Sequence, residues 1–334
     1  MKRITELKRD IRFVSYSAVG GYEEGVGPLG KNFDIIDNSG KFGQKTWELA
    51  EGEMGRICLN TSFTKSGLSH TDVDIIVAGD LQNQCVATSL GLASFGIPYI
   101  GVYGACSTCT ESLMILSSFM DSNHDIKYGA AVTTSHNSAA ERQFRTPIEY
   151  GGQRSPSAQW TSTAAGSFIL GDEGKVRLSS YMPGRIIDGV TSDGSNMGAA
   201  MAFAAADTIK SYFEESGEKS DEFDYIITGD LGRVGSDILY DILKNKVFGF
   251  ETIHRDCGLL LYDTEKKDVH SGASGCGTSA SVLASHFLPM LEEGKIKKIL
   301  FLSTGALMSP SSLLQGESIY GIAPLIKLEY IEEI

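Results

Sequence analysis

No apolar run in this sequence approaches the roughly 20 residues needed to cross a bilayer. Met1 to Asp10 is rich in charge and has no apolar centre of the kind a secretory signal carries. The chain is therefore expected to be made as a soluble protein, without direct membrane insertion, that reaches a membrane through a partner. Basic charge is scarce: 29 Lys and Arg stand against 42 Asp and Glu, a formal net charge of −13. That balance argues against general nucleic-acid binding and against docking onto anionic lipid; an anionic ligand needs a local basic pocket inside an acidic shell. Zinc-ligand spacing, a phosphate-binding P-loop and a dinucleotide fingerprint are all missing, so neither a resident cofactor nor a metal site is expected. No low-complexity segment or linker divides the chain.

What remains is an ordinary globular composition, 334 residues with 42% hydrophobic and 21% charged. The length suits one large domain or two similar halves. The six cysteines, Cys58, Cys85, Cys106, Cys109, Cys257 and Cys276, are irregularly spaced, which in a chain of this length suggests reduced thiols rather than a disulfide framework.

The chain repeats itself. Asp74 to Leu81 matches Asp224 to Leu231, sharing Asp, Ile, Gly, Asp and Leu in register, and Gly67 precedes the first as Gly217 precedes the second. Gly104-Ala105-Cys106 has a counterpart in Gly272-Ala273-Ser274, and Lys127 to Thr134 in Lys297 to Thr304. The same order at matching offsets implies an internal duplication with an insertion in the second copy. We divide the chain into an N-terminal half, 1–175, and a C-terminal half, 176–334. Each half reads as strand, helix, strand, helix, strand, corner, helix and closing strands: an α/β architecture of mostly parallel sheets, two sheets packed about a pseudo-twofold axis.

Cys106 occupies the corner of the first half. Ile97 to Tyr103 reads as a buried strand, and Leu113 to Met120 as part of a mostly buried helix. A thiol at such a helix start meets free N–H groups and a positive dipole end, which favour thiolate. Cys106 and Cys109 also form a Cys-x-x-Cys, compatible with redox chemistry or with two packed thiols in one helical turn.

With the corner and the duplication in view, the chain resembles the thiolase-like superfamily, whose fold is a duplicated five-layer α/β/α/β/α arrangement with a nucleophilic cysteine at this corner. A narrower resemblance lies in Gly79 to Gln84, Gly104 to Thr108, Ser135-His136-Asn137, Ala140 to Arg145, Glu149 to Gln153, Gly184 to Asp188, Asn196 to Met201, Ala204 to Lys210, Asp256 to Leu259, Ser274-Gly275-Cys276 and Thr304 to Pro310. These look like the stage V sporulation protein AD family. That resemblance implies capture of dipicolinic acid (pyridine-2,6-dicarboxylate), free or as its calcium chelate, for uptake into the developing spore, and a role in release on germination. It also implies membrane-embedded partners of the stage V sporulation A system, a homodimer, and a place at the spore inner membrane held through those partners. Calcium would be carried by the ligand.

Acyl-transfer enzymes of this fold need an imidazole and an oxyanion partner from the second half. Here Thr228-Gly229-Asp230-Leu231 carries no His and Ser274 to Ser279 carries no Asn. A carboxylate at Asp230 raises the thiol's pKa, so the expectation is a non-catalytic protein with Cys106 in a vestigial nucleophile position. The alternatives are an acyltransferase using Cys106 and a pure assembly scaffold.

The expected ligand pocket lies over Cys106 and Ser107. His136 and Asn137, at the end of a strand near that corner, are donors to a ligand carboxylate or polar groups satisfied by neighbouring backbone. Glu141, Arg142 and Arg145 form the densest charged cluster nearby; Arg suits a planar dicarboxylate, and Arg142 is expected to be the main anchor. Tyr150 and Gly151 open a glycine-rich loop read as a lid or a turn. Asn83 and Gln84 belong to the pocket rim or to a dimer interface.

Overall fold

The computed structural model describes residues 2–144, 154–265 and 269–332. The first half contributes strands β1 (Thr5–Gly21), β2 (Ile75–Gly79), β3 (Tyr99–Gly101), β4 (Gly129–Ser135) and β5 (Ala164–Gly171). The second contributes β6 (Val176–Met182), β7 (Tyr225–Thr228), β8 (His254–Asp256), β9 (Lys298–Leu302) and β10 (Leu325–Tyr330). Their spatial orders are β1-β5-β4-β2-β3 and β6-β10-β9-β7-β8, the same permutation twice. In each set the three inner-to-edge strands pair parallel and the other two antiparallel, so the sheets are mixed rather than mostly parallel. The two sets are also not separate sheets. The long β1 pairs with β5 along Arg12 to Gly20 and with β6 along Thr5 to Arg12, antiparallel, which fuses them with the short strand Ile35–Asp37 into one eleven-stranded sheet among the described residues.

Strand alternation shows the layering, because neighbouring residues face opposite sides. Val77, Ala131 and Phe168 of the first set, with Ile227, Phe301 and Ile326 of the second, share one central core. Helix α3 (Thr108–Ser122) enters that core with Cys109, Leu113, Leu116 and Met120, and the helix beginning at Cys276 enters it with Ala280. The alternate residues Ile76, Ala130 and Ile169 face outward under Leu59 and Phe63 of α1 (Trp47–Ser66) and Leu92 of α2 (Val86–Leu92). Ile226, Leu300 and Leu325 do the same under Ala204 and Ile209 of α5 (Met197–Ser216). The result is helix, sheet, helix, sheet, helix.

The repeated motifs have a mechanical role. Asp74 accepts from the backbone N–H of Lys127 at 2.7 Å, and Asp224 from that of Lys297 at 2.6 Å, each aligning the start of the neighbouring parallel strand. Helices α1 and α5 are both twenty residues long, capped by Thr46 and Asn196 and ended by left-handed Gly67 (φ 72°) and Gly217 (φ 75°). Glycine takes that conformation without the Cβ clash that other residues meet.

β3 departs from the sequence reading. It is a three-residue edge strand instead of a buried one, and Tyr99 and Tyr103 are exposed because no strand among the described residues pairs beyond it. Between it and α3, Ala105 adopts φ 53°, a left-handed non-glycine that turns the chain sharply into Cys106. Among the described residues no helix is long and apolar enough to cross a membrane.

Candidate functional site

The strand-to-helix corner carries Cys106 to the floor of a cavity of about 260 Å³. Its walls come from both halves: Leu81 after β2, Ala140 and Phe144 from α4 (Asn137–Phe144), and Met197, Ala306 and Met308 from the second half. Glu141 also lines it, and among the described lining residues there is no Arg, Lys or His. The Arg154 guanidinium stands 3.7 Å from Glu141 and sits over the Trp160 ring.

Behind the thiol is a closed polar cluster. Cys106 Sγ lies 3.8 Å from Ser274 Oγ, which donates to Asp230 Oδ2 at 3.0 Å. The same carboxylate accepts from the Gly275 N–H at 2.9 Å and from Thr304 Oγ1 at 2.9 Å. Asp230 is 1% exposed. Burial outweighs these hydrogen bonds and pushes its pKa to about 6. The thiol responds to both influences: burial, then the adjacent carboxylate, hold its pKa well above the ordinary thiol value. The expected dipole-stabilised thiolate is therefore corrected. A helix dipole contributes at most a small fraction of the desolvation cost of a fully enclosed thiolate beside a carboxylate.

The second half does carry a buried imidazole that sequence reasoning missed. His254 on β8 engages Thr228 Oγ1 at 2.8 Å and the Tyr240 hydroxyl at 3.0 Å, and burial lowers its pKa to about 3. It does not line the cavity. Cys109 is buried in the central core, its pKa pushed up to about 12 by desolvation, and all six cysteines are free thiols.

The remaining expected site residues scatter. Ser107 is buried and turned away from the cavity, donating to the Gly104 carbonyl at 2.5 Å and to Glu111 at 2.8 Å. His136 points to a different cavity, with Nε2 2.8 Å from the Gly40 carbonyl and its ring against Trp47. Burial lowers its pKa, so it is not the cation a carboxylate would need. Asn137 donates to the Thr161 carbonyl at 3.1 Å and lines that second cavity. Arg142 faces outward, half-exposed and paired with Glu48 on α1, because α4 turns Ala140 and Phe144 inward instead. Arg145, Tyr150 and Gly151 lie outside the described residues. Thr304 and the segment Ala306 to Ser309, given no site role from sequence, border the cluster and the cavity. The signal for them was the repeat itself: with Lys297 to Thr304 matched to Lys127 to Thr134, Thr304 and Ala306 stand at the positions of Thr134 and His136.

Two like-ordered strand sets about central helices, with a cysteine at the corner between them, define a thiolase-like fold. A variant of Xanthomonas campestris OleA superposes with a TM-score of 0.61 at 11% identity, covering 98% of this chain and all of that one. The 3-oxoacyl-[acyl-carrier-protein] synthase III of Aquifex aeolicus does so with a TM-score of 0.57 at 13% identity, over 96% and 100%. Within that fold, the family model for Stage V sporulation protein AD matches residues 1–329. Stage V sporulation protein AD of Bacillus subtilis (strain 168) is 41% identical over 310 residues, 92% of this chain and 91% of that protein. The chain belongs to the stage V sporulation protein AD family.

Proposed function

We propose that this protein is a non-catalytic binder of dipicolinic acid, taken as its calcium chelate in the cavity above Cys106. The observation that carries this reading is the exchange of reactive for structural chemistry at the corner. The thiol is enclosed and backed by Asp230, whose oxygens are already bonded to Ser274, Gly275 and Thr304. No imidazole lines the cavity among the described residues, so the histidine that acyl transfer in this fold would use is missing there. The walls favour a single apolar ring, and Glu141 favours the chelate over the free acid. A dianion would lie against a carboxylate, whereas the neutral chelate presents calcium, whose shell a carboxylate oxygen completes.

In this reading the protein acts in the spore beside membrane-embedded subunits of its system and works as a homodimer. The free edge of β3, with exposed Leu90, Tyr99 and Tyr103 alongside, supports a pairing of two copies there. Calorimetric titration with dipicolinate, with and without calcium, tests the ligand. Saturable heat that requires calcium is expected; absence of heat and of any thermal shift in both titrations sinks it. Incubation with acyl-CoA followed by intact mass measurement tests the alternative, and a stable adduct on Cys106 would reassign the protein as an acyltransferase.

A further inference from the structure

A second cavity, of about 160 Å³, lies where the end of β1, the start of α1 and the start of α4 meet. Tyr22, Glu23, Trp47, His136, Asn137 and Trp160 line it, and the two indoles are the only tryptophans of the chain. His136 is 2% exposed. Its Nε2 contacts the Gly40 carbonyl oxygen, which only accepts, so Nε2 carries the proton and donates. In the neutral ring Nδ1 is then a bare acceptor, and among the described residues it has no hydrogen-bond partner. Burial lowers the pKa of His136 and keeps that lone pair available. A buried acceptor without a donor is costly, and a ligand that supplies an N–H removes the cost. A carboxylate would instead meet the lone pair head-on.

The other walls point to the same chemistry. Glu23 contributes a carboxylate, and indole faces attract cations. Each indole already does so once: Lys41 Nζ lies 4.9 Å from the Trp47 ring centre, and the Arg154 guanidinium 4.9 Å from that of Trp160. The Arg154 guanidinium also faces Glu141, 3.7 Å away.

We propose that this cavity is a binding site for a small primary ammonium group, which donates to His136 Nδ1 and is held by Glu23 and the indole faces. The site is separate from the Cys106 cavity and does not depend on what that cavity binds. Because both tryptophans line it, intrinsic fluorescence reads its occupancy directly. Titration of the full chain with butylammonium chloride should give a saturable change that sodium butyrate and 1-butanol at matched ionic strength do not. His136→Phe and Glu23→Gln should each weaken the response about tenfold or more, and Cys106→Ala should leave it unaltered. Glu23 is half-buried and its substitution serves if His136→Phe does not fold. An equal response to butyrate or butanol, no response to butylammonium, or Glu23→Gln titrating like the parent would overturn the proposal.

Discussion

Asp230→Asn isolates the group that most shapes the corner. Burial raises the carboxyl from 3.8 to about 6, roughly two pKa units, and each unit corresponds to about 1.4 kcal/mol. The sign follows from the raised value. Below pH ~4 both folded and unfolded states are protonated and the group costs nothing. As pH rises through about 6 the unfolded chain has ionised more readily, so stability falls by about 3 kcal/mol and is flat above. The amide removes this slope. It also sets an amide next to the Gly275 N–H and the Ser274 and Thr304 hydroxyls, which costs about 1–3 kcal/mol at every pH through an imperfectly satisfied buried donor. Urea unfolding at pH 4.5, 5.5, 6.5 and 7.5 separates the two effects. The variant should be the less stable protein at pH 4.5, and the gap should close or reverse by pH 7.5. Glu24, raised to about 7, contributes the same slope in both proteins and cancels in the difference, whereas Asp256, raised to about 7 in part by the Asp230 charge, relaxes in the variant and adds to the change in the same direction. The thiol supplies an independent reading. With the like charge gone, Cys106 should alkylate with iodoacetamide faster than in the parent at pH 8. A stability difference that does not change with pH, together with unchanged alkylation, would refute the account of Asp230 as a buried charge pressing on the thiol.

Arg142→Ala should leave calcium-dipicolinate affinity within about twofold, since a half-exposed ion pair contributes little. Glu141→Gln should weaken the calcium-dependent part, and calorimetry on the two variants compares them directly. Gly166→Ala should destabilise strongly, by about 2 kcal/mol or more in denaturant titration, because a Cβ there falls 2.5 Å from the Ala280 backbone where β5 and the Cys276 helix cross. Gly67→Ala should cost only about 1 kcal/mol, since its surroundings are open and the penalty is its left-handed φ of 72°.

The features legible in the sequence obey local rules. Thr46 and Gly67 bound α1, and Asn196 and Gly217 bound α5, because caps and left-handed stops act within one turn. The repeated Asp-x-Ile motif marks the strands that Asp74 and Asp224 align, so the duplication was readable before any contact was known. The corner at Cys106 follows from the change from strand to helix pattern on either side. An acidic second-half partner was likewise readable, because the repeat aligns Asp230 with Asp80. Their fates were not. Asp80 folds onto its own loop through Gln82 and Thr88, whereas Asp230 reaches across to the segment after Gly272 and to the end of β9.

Only the tertiary structure decided what the cavity is. Ser274 lies 168 residues from Cys106 in sequence yet within reach of its sulfur, and the apolar wall at Met197 and Ala306 is remote from both. Which face of α4 turns inward depends on how the helix seats against its neighbours. That seating sent Arg142 to Glu48 and left Glu141 on the cavity wall. Exposure of β3 was equally undecidable from its apolar run, since a strand is an edge only when no other strand lies beyond it. By itself the sequence determined the elements, their ends, their repetition and the place of the thiol, all matters of nearest neighbours along the chain. The charge around that thiol, and therefore its silence, was decided by long-range packing that brought a carboxylate 124 positions away, between residues 106 and 230, into a dry interior.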